Sequence, residues 1–239
     1  MFFKRKIYDK LLEWKNETKG TKAILIEGAR RIGKSTIAQA FAKNEYESYL
    51  LIDFAKKDKE VESYFEKYLN DLDTLFMMLQ VHYGIRLKPR QSVVIFDEVQ
   101  MFPQARAAIK YLVADGRYDY IETGSLISIK ENVKDIVIPS EERHISMYPF
   151  DFEEFCWALG EEVMIDYIKH CFESKQALEE SLHRKAMMIF KQYMLVGGMP
   201  MPVVKFVENN KSFYEADQEK RDILRLYRED IMKINARYR

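Results

Sequence analysis

Short continuous apolar runs alternate, in the first half of the chain, with stretches in which apolar residues recur every three or four positions. Uninterrupted apolar runs are typical of strands in a parallel sheet covered on both faces, whereas the wider spacing is typical of amphipathic helices. The pattern predicts an α/β fold built on a doubly wound parallel sheet with right-handed crossovers. The predicted strands are Ala23–Glu27, Tyr49–Asp53, Ser92–Phe96, Asp119–Thr123 and His144–Tyr148.

Helical stripes separate these strands. A short stripe runs from Ile37 to Ala42, and a longer stripe runs from Val61 to Leu79. Pro103 is expected in the first turn of a further helix, where its missing N–H is tolerated, and Gly116 is expected to end that helix.

The strand pattern stops after Pro149. Asp151 and Glu154 have the spacing of a capping box, and apolar residues continue in helical register from Ala177 to Phe190. A Gly/Pro break at 196–203 precedes another long helical run. We therefore expect a sheet-containing part, residues 1–149, and an all-helical part, residues 150–239.

Composition narrows the functional classes. The 239 residues include 38 basic and 38 acidic side chains, so a formal net charge of +0 gives no strong overall attraction to nucleic acid or to an anionic membrane. Cys156 and Cys171 cannot form a disulfide scaffold, and with His170 they match no metal-ligand spacing. No stretch approaches a membrane-spanning length. A cytoplasmic protein with reduced thiols is expected.

The segment "GARRIGKST" after the first predicted strand carries the chemistry. Gly28, Gly33, Lys34 and Ser35 fit G-x-x-x-x-G-K-[ST], the P-loop or Walker A motif, between a strand and a helix. Glycines let backbone N–H groups surround phosphate oxygens, Lys34 would bridge the outer phosphates, and the Ser35 hydroxyl would bind Mg²⁺. The alternative is a chance glycine-rich turn. The predicted nucleotide-binding residues are Gly28, Ala29, Arg30, Arg31, Ile32, Gly33, Lys34, Ser35 and Thr36.

Within this loop, Arg30 and Arg31 are open to two interpretations. They are interpreted first as solvated charge flanking the motif, because variable positions of the loop point away from the phosphates as easily as toward them. A contact with the γ-phosphate or with a partner subunit is the alternative.

Three further side chains complete the predicted site. "VVIFDEVQ" puts Asp97 and Glu98 at the end of a buried strand, where a carboxylate without a ligand is costly to desolvate. Asp97 suits the Walker B role of holding Mg²⁺, and Glu98 suits the base that orients and deprotonates the attacking water. Solvated acids capping the next helix are the alternative. Thr123 is predicted to sense or polarise this water; a turn-stabilising hydroxyl is the alternative.

The segments "GARRIGKST", "VVIFDEVQ", "IETGS", "RHISMYPFDFEEF" and "VGGMP", in this order, resemble the prokaryotic AAA+ ATPases that carry a C-terminal domain of unknown function. The resemblance implies a five-stranded sheet in the order 5-1-4-3-2, a nucleotide-binding core over 1–149, and a helical lid subdomain with a C-terminal helix over 150–239. It also implies ATP rather than GTP as the nucleotide. Such relatives usually continue beyond this length, so a further domain is an expectation.

The resemblance further implies that Arg143 stabilises the charge developing on the γ-phosphate, acting in trans from a neighbouring subunit of a homo-oligomer. Here the chain reads "EERH" where relatives tend to have a glycine before the arginine. Glu141 and Glu142 are close enough to pair with Arg143, and a salt-bridged surface arginine is the alternative.

Together these features predict a Mg²⁺-dependent ATPase that hydrolyses ATP to ADP and phosphate, to drive or time a conformational change in itself or in a partner. The adjacent acids Asp97 and Glu98 favour activation of water over transfer to a metabolite. One alternative is a weakly hydrolysing nucleotide switch or scaffold, acting on nucleic acid for example; a small-molecule P-loop kinase is another. The sequence does not identify a protein or nucleic-acid client, and it predicts no membrane partner.

Overall fold

A computed structural model describes residues 3–125 and 140–237, with side chains through 232. The chain divides into two compact units. The sheet unit comprises Ile7–Met147, and the helical unit comprises Met1–Lys6 together with Tyr148–Arg239. Within the described ranges, no helix combines the length and the apolar character needed to cross a membrane.

The described part of the sheet unit contains five strands, all paired in parallel. Their order is β2-β3-β4-β1-β5, which reads 5-1-4-3-2 from the other edge, so the predicted α/β fold class is confirmed. Every residue of β3 and β4 is buried, as expected for central strands covered on both faces. The strands are β1 Ala23–Gly28, β2 Ser48–Asp53, β3 Ser92–Asp97, β4 Asp119–Ser125 and β5 Glu142–Ser146.

The fifth strand begins two residues earlier than predicted and ends before Tyr148. It pairs with β1 from Ala23 opposite Glu142 to Glu27 opposite Ser146. The prediction over 144–148 was wrong at both ends because it followed the apolar residues near Tyr148. A sheet ladder is made by backbone groups, so polar residues such as Glu142 and Arg143 can also form the strand.

Five helices of the described chain lie in the sheet unit, except that the first residue of α1 belongs to the helical unit: α1 Lys6–Thr18, α2 Lys34–Glu45, α3 Lys59–Tyr68, α4 Leu72–Tyr83 and α5 Pro103–Asp115. The long predicted stripe is two helices, because the Asp71 carboxylate accepts the Thr74 N–H at 3.2 Å and starts a new helix. Pro103 opens α5, and Gly116, with φ 73°, ends it as predicted.

An aromatic cluster packs beneath the end of β3. The rings of Phe54, Phe65 and Phe96 lie 5.6–6.1 Å apart, and Phe102 lies 5.4 Å from Phe54. Burying each phenyl ring contributes roughly 1.5–3 kcal/mol. Because Phe96 immediately precedes Asp97, this packing holds the carboxyl end of the strand in place.

A buried charge network links α5 to the edge strand. Arg106 binds Glu142 in a two-pronged pair, Nε–Oε2 at 3.0 Å and Nη2–Oε1 at 2.7 Å, with side chains only 1% and 0% exposed. Both carboxyl oxygens of Glu122 on β4 are buried; they accept no hydrogen bond from the described residues, and the neutral acid can donate one to Glu142. Burial raises the pKa of Glu122 well above 4.5, and repulsion by Glu142 adds to this while Arg106 opposes it.

The helical unit contains α6 Phe152–Ala158, α7 Glu162–Ser174, α8 Glu180–Val196, α9 Pro200–Glu208 and α10 Phe213–Arg237. Asp151 and Glu154 form the predicted capping box at α6. The predicted helical register from Ala177 was wrong at its start, since the Glu179 carboxylate accepts the N–H groups that begin α8. The final run is two helices, α9 and α10, separated at 209–212.

Candidate functional site

The loop that joins β1 to α2 requires a glycine at its start. A Cβ atom on Gly28 would lie 2.3 Å from the backbone oxygen of Met147 and 2.6 Å from Cδ1 of Ile32. Ile32 itself is fully buried, so its side chain anchors the loop to the core. Gly33, with φ 92°, makes the left-handed turn into α2.

The amino end of α2 is available to an anion. Gly33 offers no side chain to cap the helix, so its first N–H groups are not satisfied by a capping side chain. Lys34 is 5% exposed, and its amine donates to the carbonyls of Gly28 at 3.2 Å and Ala29 at 2.8 Å. Burial lowers the pKa of Lys34 below 10.5, while attraction by Glu98 and Asp97 opposes that shift.

Asp97 joins the P-loop helix to two strands. Its Oδ1 accepts the Ser35 hydroxyl at 2.7 Å and also accepts the Thr123 hydroxyl. Thr123 is fully buried on β4, the strand that lies between β1 and β3. The strand order, with β4 between β1 and β3, therefore brings this threonine to the carboxylate of Asp97.

Glu98 is held at its backbone and at its side chain. Its backbone is left-handed, with φ 53°, and its N–H donates to Thr123 Oγ1 at 3.2 Å. Its carboxylate accepts the side-chain amide of Gln100, a residue in the short 3₁₀ turn Val99–Met101. Sequence reasoning did not select Gln100; its place two residues after Glu98, within a motif already singled out, was the available signal.

The other predicted loop residues lie on the surface. Ala29, Arg30, Arg31 and Thr36 are exposed, and Arg31 has a left-handed backbone with φ 64°. Arg30 is close enough to Lys34 for its charge to contribute to lowering the pKa of that amine. The loop thus has a buried anchor and a rim of exposed positions.

Arg143 lies away from the other predicted site residues within the sheet unit. It pairs in register with Ile24, four residues before Gly28, which corresponds to roughly 13 Å along the strand. Its Nη1 donates to Glu17 Oε2 at 2.9 Å, and both side chains are about half exposed.

The residues present suit a nucleotide with Mg²⁺. An uncapped helix amino end beside a buried lysine is suited to phosphate, and the paired oxygens of Ser35 and Asp97 are hard donors of the kind Mg²⁺ prefers. No cluster of three His, Cys, Asp or Glu side chains that could hold a metal occurs among the described residues. Mg²⁺ needs none, because it is usually bound by one or two carboxylates together with substrate phosphates.

The solved structures that are similar to this chain at low identity include the following two. PCH-2 from C. elegans is 12% identical, with 90% of this chain and 68% of that chain covered and a TM-score of 0.44. A signal transduction ATPase with numerous domains (STAND), which has a tetratricopeptide repeat sensor, from Pyrococcus horikoshii is 15% identical, with 87% of this chain and 30% of that chain covered and a TM-score of 0.44.

No curated protein sequence matches this chain. The family model described as an AAA domain matches residues 20–156, more than half of the chain. That range contains β1 to β5 and the site joining Lys34, Ser35, Asp97 and Thr123. The chain therefore belongs to the AAA domain family of P-loop nucleotide-binding ATPases.

Proposed function

We propose that the protein is a Mg²⁺-dependent ATPase that hydrolyses ATP to ADP and phosphate, and that turnover drives or times a conformational change in the protein or in a partner. The observation that carries the proposal is the set of contacts joining Ser35, Asp97, Thr123 and Glu98 beside the buried Lys34 amine. Such a set combines phosphate binding, metal binding and a carboxylate placed to act on water.

The chain's own groups would perform the positioning. The N–H groups at the start of α2 and the Lys34 amine would bind phosphate oxygens, which would replace the Gly28 and Ala29 carbonyls as acceptors of the amine. When bound, Mg²⁺ would neutralise charge on the phosphate oxygens, and Ser35 and Asp97 are the residues that would hold it.

Glu98 would act as the base. Its carboxylate accepts a proton from water as the water oxygen attacks the γ-phosphorus, the bond to the bridging oxygen breaks, and ADP leaves. Thr123 contacts both Asp97 and the backbone of Glu98 and would fix their positions relative to each other. Its predicted role in sensing water would act through these two contacts.

The proposal also assigns roles to Arg143 and to the helical residues 150–239, and it includes a cellular setting. Arg143 would act in trans in a homo-oligomer, since its register position lies far from the P-loop of its own chain. Residues 150–239 would act as the helical lid. The free, buried thiols of Cys156 and Cys171 suit a reducing, cytoplasmic setting.

Two variants test the proposal. Lys34→Ala is expected to abolish nucleotide binding, measured with a fluorescent ATP analogue. Glu98→Gln is expected to retain binding and to lower phosphate release by roughly 10²–10⁴-fold, the usual contribution of a positioned base. Phosphate release by Glu98→Gln at the parental rate would refute the base assignment, and appearance of a phosphorylated metabolite in place of free phosphate would indicate a kinase.

A further inference from the structure

The carboxylate of Glu98 is held by a neutral amide that is itself buried. Gln100 is 4% exposed, and its Nε2 donates to Oε2 of Glu98. A hydrogen bond to a charged acceptor is stronger than one between neutral groups, and shielding from water strengthens it further. The contact therefore holds in one orientation a carboxylate that would otherwise sample several rotamers.

The backbone of Glu98 is restricted as well. A non-glycine residue with φ 53° is in a sparsely populated conformation, and such conformations persist where surrounding contacts over-determine them. Here the N–H of Glu98 is bound to Thr123 Oγ1, and the following residues form the turn Val99–Met101 with Val99 fully buried. That turn brings the amide of Gln100 back onto the carboxylate of Glu98.

We propose that Gln100 is a positioning residue for hydrolysis: its amide holds Oε2 of Glu98, so that Oε1 stays available to accept the proton of the attacking water. This inference rests on the proposed ATPase function. The donor is neutral, so it orients the carboxylate without adding a positive charge beside it. Misplacement of a catalytic group by about 1 Å can lower a rate by about 10²-fold.

The decisive variant is Gln100→Met, which keeps an unbranched side chain of similar length and removes the donor. We expect the single-turnover rate of ATP hydrolysis to fall by roughly 10–100-fold. The Kd for nucleotide, measured by fluorescence titration, is expected to change less than about twofold, because Gln100 is not among the groups that would bind phosphate. Gln104→Met is the matched control, since Gln104 is exposed on α5, and its rate should equal that of the parent.

A second measurement needs no nucleotide. In a double-mutant cycle with Glu98→Ala, Gln100→Met should lower the equilibrium constant for folding by up to about tenfold more in the parent than when Glu98 is absent. If Gln100→Met lowered the equilibrium constant for folding equally with and without Glu98, the proposed contribution of the Gln100–Glu98 contact would be refuted. If Gln100→Met does not fold, Gln100→Leu serves the same two measurements with less flexibility in the new side chain.

The outcomes separate this inference from the function on which it rests. A lowered rate with unchanged Kd, together with coupling to Glu98, supports the positioning role. A parental rate for Gln100→Met while Glu98→Gln is inactive overturns the positioning role and leaves the ATPase proposal standing. Activity of Glu98→Gln at the parental rate overturns the proposed base itself.

Discussion

Because Glu122 is a buried acid, we expect the free energy of unfolding to fall as pH rises, and we expect Glu122→Gln to remove the part of that fall that Glu122 causes. This carboxyl is fully buried, its two oxygens accept no hydrogen bond from the described residues, and its neutral form can donate one to the adjacent carboxylate of Glu142. Burial raises the pKa of Glu122 well above 4.5, so the folded protein favours the neutral acid. Glu122→Gln replaces that acid with a neutral side chain of similar shape.

The size and sign of the effect follow from proton binding. Above pH 4.5 the unfolded chain releases the proton of Glu122 while the folded protein keeps it, so the folded state binds more protons. The contribution to stability is therefore present at low pH and is lost as pH rises toward the folded pKa. The loss is at most about 1.4 kcal/mol per pH unit, or up to about 3 kcal/mol between pH 5 and pH 7.

Urea unfolding at several pH values measures this loss in the sheet unit alone. The chain has two tryptophans, and Trp14 is buried in the sheet unit, so a Trp157→Phe background lets Trp14 report on that unit. The free energy of unfolding of Glu122→Gln should fall less steeply between pH 5 and pH 7 than that of the parent. Glu66→Gln, at an exposed position on α3, is the matched control and should keep the parental slope.

Parallel pH profiles for the parent and for Glu122→Gln would refute the reasoning. They would mean that Glu122 binds the same number of protons in the folded and unfolded chain over this range. The buried pair of Arg106 and Glu142 would then have to balance a charged Glu122 in the fold.

Three other predictions concern single positions. Gly28→Ala should abolish nucleotide binding and lower the melting temperature, because the new Cβ would lie 2.3 Å from the Met147 carbonyl oxygen; unchanged binding by titration would contradict this. Asp151→Ala should destabilise the helical unit by about 1 kcal/mol in urea unfolding, through loss of the capping box with Glu154, whereas Asp151→Ser should restore most of it. Arg143→Ala should remove the rise of specific phosphate release with protein concentration; activity independent of both concentration and Arg143 would exclude the in-trans role.

Much of the fold was predictable because its signals are local. Apolar runs located all five described strands, although the fifth was displaced by two residues, and the P-loop spacing at Gly28–Ser35 predicted a strand, a tight loop and a helix in succession. The predicted element boundaries were wrong where the apolar pattern along the chain does not follow the backbone hydrogen bonding. The edge strand is polar at Glu142, and the stripe over 61–79 is broken by the cap at Asp71, which periodicity alone does not reveal.

By itself, the sequence determined which residues could bind phosphate, metal and water, since glycine spacing, a lysine and two adjacent acids limit the chemistry over a few positions. Tertiary structure alone decided which of them meet. Thr123 contacts Asp97 only because β4 inserts between β1 and β3, and Gln100 reaches Glu98 only through the turn that follows a left-handed backbone. Arg106 and Glu142 pair from positions 36 residues apart. Such contacts depend on strand order and on burial, which bring together residues far apart along the chain.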